Sequence, residues 1–157
     1  GIRSKVAVYS DKENIEPVGC VIGANGSRIN RVLKQIAKEK IDVVLYDKNP
    51  VEFIKNALSP AKDIEVFITD PKKKMATCIV NKDNLSLAIG KKGINIKLAA
   101  RLTHYKLDVK CIDDVNIDEY REKYSDIKNI DETPEEEKGE VKDIEEVVET
   151  DEENSNA

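Results

Sequence analysis

At 157 residues, with 39% hydrophobic and 36% charged side chains, the chain has enough apolar material for one or two small domains but not for one large core. No stretch approaches 18 apolar residues, which excludes a membrane-spanning helix, and no charged-then-apolar leader opens it, so a cytoplasmic location is expected. The net charge of −5 hides a split: residues 1–110 hold 21 Lys and Arg against 12 Asp and Glu, a net of +9, whereas residues 111–157 hold 5 against 19, a net of −14. A basic body suits a polyanionic partner, and an acidic end reads as a solvated tail.

In chain order, "IRSKVAVYS" alternates at Val6 and Val8 and predicts a strand. A polar turn, "DKENIEP", leads to the short apolar segment "VGCVI", which ends at Gly23. After Gly26, Ile29, Val32, Leu33 and Ile36 recur at helical spacing, with Arg28, Arg31, Lys34 and Lys38 between them. "KIDVVLYD" is β-branched and strand-like. Asn49 can cap a helix and Pro50 suits its first position; that helix, Val51–Leu58, should stop near Ser59-Pro60. "DIEVFITD" and "MATCIVN" form two alternating segments joined by the basic turn "DPKKK", which predicts a hairpin. Asp83 or Asn84 is expected to cap the short helix "LSLAIG", Gly93 to open a longer one, and "YKLDVKCI" to close as a strand. Ile117, Tyr120, Tyr124 and Ile127 share a helical face, so 113–128 reads as a short amphipathic helix docked on the body. Residues 129–157 have the composition of a disordered acidic tail.

A repeat joins these elements. "VIGANGSRINRVLKQIAKEKIDVV" lies over "AIGKKGINIKLAARLTHYKLDVK", with Gly23 and Gly26 falling 67 positions before Gly90 and Gly93. Both copies read as short helix, Gly-x-x-Gly, amphipathic helix, strand. One Gly-x-x-Gly means little, since a chain of this length holds about one by chance at an average glycine usage of about 7%. Two in equivalent settings are far rarer. Such a turn lacks side-chain bulk, so a phosphodiester can approach it, and the following helix start offers free N–H groups and positive partial charge. Lys91 and Lys92 add full charges, continued along the helix by Lys97 and Arg101. Leu87, Ile89, Ile94, Ile96, Val80 and Leu98 are candidate walls of a groove for unstacked bases. A P-loop and a dinucleotide fingerprint are both absent, and with 4% aromatics and no Trp a base-stacking sheet is not expected.

The order helix, strand, strand, helix, Gly-x-x-Gly, helix, strand resembles a type II KH domain. "GIRSKVAVYS", "FIKNALSPAK" and "LSLAIGKKGINIKLAARLT" resemble the tandem KH region of the NusA family of bacterial transcription elongation, termination and antitermination factors. The resemblance implies an α+β fold of tandem type II KH domains, each a three-stranded sheet packed against helices. Residues 1–47 would be a first domain lacking its leading helix and strand, as in a fragment whose N-terminus lies upstream of Gly1, and 48–112 a complete second one. It implies contact with single-stranded nascent RNA through Gly90, Lys91, Lys92 and Gly93 and, in the first copy, Gly23, Ala24, Asn25 and Gly26. The first loop lacks a basic middle pair, for which Arg28 and Arg31 would compensate in part. In the full-length protein the partners would be RNA polymerase and other transcription factors, with the chain itself a monomer.

Two other classes are weighed against RNA binding. A protein-interaction scaffold is favoured by the first loop's missing charge and by the acidic tail. An enzyme has little support: the acids of the body are scattered, His104 is the only histidine, and no nucleophile–base pair, metal cluster or cofactor motif appears. Cys20, Cys78 and Cys111 lack metal or disulfide spacing and are expected to be small apolar residues. The tail could also compete for the basic groove, although a merely solvating role is the simpler reading.

Overall fold

The computed structural model describes residues 3–35 and 40–124. The expected tail at 129–157 lies outside these residues, as do Ile36, Lys38 and Ile127. Strand β1 (Arg3–Val8) pairs in parallel with β2 (Lys40–Leu45), in a register running from Arg3 opposite Lys40 to Val8 opposite Leu45. Parallel neighbours need a crossover; here α1 (Pro17–Ile22) and α2 (Ser27–Gln35) supply it. The second unit opens with α3 (Pro50–Ala57), started as expected by Asn49, whose side chain accepts a hydrogen bond of 2.9 Å from the Val51 N–H. A hairpin of β3 (Glu65–Asp70) and β4 (Met75–Val80) follows, then α4 (Lys82–Ile89), α5 (Ile94–Thr103) and β5 (Lys106–Cys111), which lies parallel to β4. The sheet order is β3-β4-β5, so β4–α4–α5–β5 repeats the path of β1–α1–α2–β2.

Asn81, not Asp83 or Asn84, caps α4: its side-chain oxygen accepts from the Asn84 N–H at 2.9 Å. The strand β4 stays buried to Val80, so the chain must turn at the next residue, and the first polar side chain there takes the cap. Asn84 serves a different contact, its oxygen accepting from the Lys62 N–H at 3.1 Å.

The core gathers Ile54, Ala57, Leu58, Val66, Ile68, Cys78, Ala88, Ala99 and Leu102 between α3–α5 and the inner face of the second sheet. Val80 and Leu98, expected to line the groove, are 1% and 3% exposed and belong to this core. Ala7 and Val44 of the first sheet join it too, so the two units share one apolar cluster. The first sheet therefore lies against α5 and α3 of the second unit with the face carrying Lys5 and Ala7. An edge-to-face series Tyr9–Tyr46–Phe53, with centroids 5.7 and 5.0 Å apart, and an Asn56 side-chain N–H bond of 3.0 Å to the Leu45 carbonyl extend the junction.

The second sheet's outer face meets α6 (Ile117–Tyr124) instead. Tyr120 and Tyr124 lie 5.4 and 6.4 Å from the Phe67 ring, and Arg121 donates twice to Glu65, at 2.9 Å each. Burial separates the cysteines: Cys78 and Cys111 are buried as expected, whereas Cys20 is exposed. Burial, aided by Asp108, pushes the Cys78 thiol up to about 12.

Candidate nucleic-acid interface

The two Gly-x-x-Gly segments have the same backbone. Gly23 and Gly90 each adopt φ 78°, ψ 170°; Asn25 lies at φ 53°, ψ 31° and Lys92 at φ 56°, ψ 23°; Gly26 and Gly93 have φ 74° and 73°. Each loop closes with the same two bonds, from the Gly23 N–H to the Gly19 carbonyl and the Gly90 N–H to the Ser86 carbonyl at 2.8 Å, and from the last glycine N–H to the first glycine carbonyl at 3.1 Å.

The glycines within a loop have different reasons. The first sits in a region of torsion space essentially closed to other residues. A Cβ on Gly90 would also lie 2.6 Å from the Asn95 Cβ. Gly90 is thus demanded by the protein's own packing. A Cβ on Gly93 would meet only the Lys97 side chain, at 3.8 Å, so this glycine is demanded by its left-handed torsion and leaves an open surface beside a lysine stem. That open side, at the start of α5, is where a phosphate could come close.

The charged side chains of the second loop and α5 are all positive. Lys91, Lys92, Lys97 and Arg101 are exposed and form no ion pair with a described residue. The first turn of α5 carries no acidic side chain, and Gly93 provides no side-chain cap, so the helix start keeps its positive end free. Lys92 holds a left-handed conformation that costs a non-glycine residue about 1–2 kcal/mol, a strain of the kind that collects at binding sites. Beside the loop, Leu87 is 45% exposed, while Ile89, Ile94 and Ile96 are half-buried.

In the first unit the shape recurs without the charge. Ala24 and Asn25 stand where the lysines are. Arg28, 67 residues before Asn95, makes the contact that Asn95 makes in the second unit. Its Nη1 donates at 2.6 Å to the carbonyl of Cys20, the counterpart of Leu87, whose carbonyl accepts from Asn95 Nδ2 at 3.1 Å. The cation expected to compensate for the missing lysines is instead bound to the end of the preceding helix, α1. Arg31 is exposed but stands at the position of the buried Leu98, on a different helix face from the Lys97–Arg101 stripe. The counterparts of Lys97 and Arg101 are Asn30 and Lys34, a correspondence the 67-residue offset already contains.

Asn95 was not among the expected site residues, although it shapes the site. It is 1% exposed, and its Nδ2 lies 3.0–3.1 Å from the carbonyls of Leu58, Leu87 and Ala88. It ties the start of α5 to the last turn of α4 and thereby holds the loop between them. A lone Asn inside an apolar helix pattern was the available signal.

No helix among the described residues is long and apolar enough to cross a membrane, and these residues hold no cluster of His, Cys, Asp and Glu able to bind a metal.

The family model of the NusA-like first KH domain matches residues 1–46, and that of the NusA-like second KH domain matches residues 50–117. The transcription termination/antitermination protein NusA of Borreliella burgdorferi is 50% identical over 110 residues, covering 70% of this chain and 23% of that protein. The Bacillus subtilis protein of the same name is 44% identical over 110 residues, 70% of this chain and 29% of its own, and that of Thermus thermophilus 44% over 119 residues, 76% and 30%. The chain thus spans less than a third of these relatives. The fold is also similar to the crystal structure of APE1850, with a TM-score of 0.50 and 26% identity over 70% of this chain and 78% of that one. With both of its Gly-x-x-Gly units matched in order, the chain belongs to the NusA family and carries its tandem KH region.

Proposed function

We propose that this chain is a non-catalytic module that binds single-stranded nascent RNA, with the loop 90–93 as its main phosphate site. Lys91, Lys92, Lys97 and Arg101 would neutralise phosphates near the start of α5, while Leu87, Ile89, Ile94 and Ile96 meet the bases. Gly23, Ala24, Asn25 and Gly26 form a second, weaker contact that relies on backbone N–H groups. Within a longer NusA-type protein, this binding would modulate pausing, termination and antitermination by RNA polymerase. The observation that carries the reading is the strained, open loop whose exposed cations lack ion pairs with any described residue.

Titration of short single-stranded RNA tests it. Lys91→Asp combined with Lys92→Asp should weaken binding by more than tenfold and flatten the salt dependence by about 0.7 per lost phosphate contact. Unchanged affinity would refute the assignment. A protein-docking role for the first unit has one observation in its favour, the engagement of Arg28 by the Cys20 carbonyl. Capture of RNA polymerase by the chain in the absence of RNA would support that role.

A further inference from the structure

Lys5 lies in the middle of β1 and is wholly buried, the largest side chain among the described residues of which this is true. Its Nζ donates at 3.0 Å to Asp42, its direct partner in β2, and at 2.7 Å to the Ser59 carbonyl at the end of α3. The first contact stays within the first unit; the second crosses to the other. Burial pulls the ammonium below the ordinary lysine range, and Asp42 offsets this in part.

The preceding carbonyl in the chain, that of Leu58, accepts from Asn95 Nδ2 at 3.1 Å. Two successive carbonyls are therefore held by different donors: Ser59 by the first unit, Leu58 by the residue that shapes the loop 90–93. A continuous series of polar contacts runs from β1 through residues 58–59 to Asn95, and on to the Leu87 and Ala88 carbonyls just before Gly90.

A buried cation is a costly way to add stability, since an apolar side chain of similar volume often does as well or better. What it adds is direction. Ala7 and Val44 are the first unit's buried apolar residues in the shared core, and apolar contact of that kind is non-directional. A charged donor reaching one carbonyl selects one register. Replacing Lys5 would not orphan Asp42, because Arg3 Nε also lies 3.4 Å from the same carboxylate oxygen.

We propose that Lys5 is a positioning residue for RNA binding: through residues 58–59 it and Asn95 hold the loop 90–93 in a fixed placement relative to the loop 23–26, so that one RNA strand engages both. The proposal rests on the RNA-binding reading above, but its first test uses no RNA.

Spin labels at Val32→Cys on α2 and Leu87→Cys on α4, both exposed helix positions, would be introduced into the full chain with Cys20→Ser. Double electron–electron resonance should give one narrow distance distribution, and Lys5→Met should at least double its width. Without the labels, Lys5→Met should lower affinity about tenfold for an oligouridylate of about 12 nucleotides, long enough for two four-nucleotide clamps. Its affinity for a tetranucleotide should stay within twofold. An unchanged distance distribution would overturn the proposal, as would equal losses for the long and short strands. Loss of the fold in Lys5→Met would overturn it too, since the lysine would then serve stability rather than placement. If the parent chain binds no RNA, the functional reading falls, and the distance measurement alone decides the role of Lys5.

Discussion

The loops 23–26 and 90–93 share their torsions and closing hydrogen bonds but little else. In the second unit the loop is underpinned by a neutral, buried amide, and its cations face outward. In the first, the underpinning is done by a cation, Arg28, and the loop itself carries none. Their surroundings differ as well. Val21 and Val32 are 38% and 45% exposed, whereas Ala88 and Ala99, 67 residues later, are completely buried. The second pair packs into a core with α3, and the first unit has no counterpart of α3 or β3 among the described residues. Loop shape is therefore separable both from loop charge and from the burial of the helices that flank it.

The sharpest test of that separation is the first glycine of each loop. Gly90→Ala meets both a forbidden torsion and the Asn95 Cβ in a packed interior, so it should cost about 3 kcal/mol in urea unfolding. Gly23→Ala has the same torsion and meets the Arg28 backbone N at 2.9 Å, but the residues it meets, Arg28 and Ser27, are exposed and not locked in a packed interior. It should cost about 1–2 kcal/mol. Equal costs would show that torsion alone decides.

The supports beneath the loops should differ in the same direction. Asn95→Ala removes a donor from buried carbonyls and should destabilise by about 2–3 kcal/mol, while Arg28→Ala at the exposed Cys20 carbonyl should cost under about 1 kcal/mol. The measurement is again urea unfolding, read with RNA affinity: Asn95→Ala should weaken tetranucleotide binding and Arg28→Ala should not.

A third contrast lies in the sheets. The raised Cys78 thiol stays protonated in the folded chain while the unfolded chain loses its proton near 9.0. Its contribution is complete below pH 9.0 and is lost as pH rises toward about 12, at about 1.4 kcal/mol per pH unit. Val6 occupies the matching place in β1, opposite Val43 as Cys78 is opposite Val109. Cys78→Ala should therefore flatten the alkaline decline in stability, and an unchanged slope would place its origin elsewhere.

The smallest expected effect is the reverse transplant. Ala24→Lys with Asn25→Lys puts the second loop's charge on the first loop's identical backbone. RNA affinity should rise several-fold and the salt dependence steepen by about 1.4, two single-strand phosphate contacts at about 0.7 each. No change would mean that the first loop's surroundings keep a strand away.

Much of this was legible in contiguous residues. Asn49-Pro50 announced the start of α3, the alternation in 64–68 and 75–80 announced the hairpin, and the two glycine pairs announced the loops. The α4 cap was misplaced because Asn81, Asp83 and Asn84 are all competent, and only the length of β4 chooses among them. Val80 and Leu98 were expected at the groove because helical and strand periodicity marks apolar residues without saying which face meets protein.

Local conformation was thus determined by the amino-acid sequence itself, because torsion preferences and caps act over a few neighbouring residues. The roles of Lys5, Arg28 and Asn95 were decided only by the tertiary structure. A lysine or arginine in the basic body of the chain looks available for phosphate until packing places a carbonyl within 3 Å of it, and those carbonyls belong to Ser59, 54 residues from Lys5, and to Cys20 on the helix before the loop. Which donor meets which buried acceptor depends on how whole elements stack, and no short stretch of sequence contains that information.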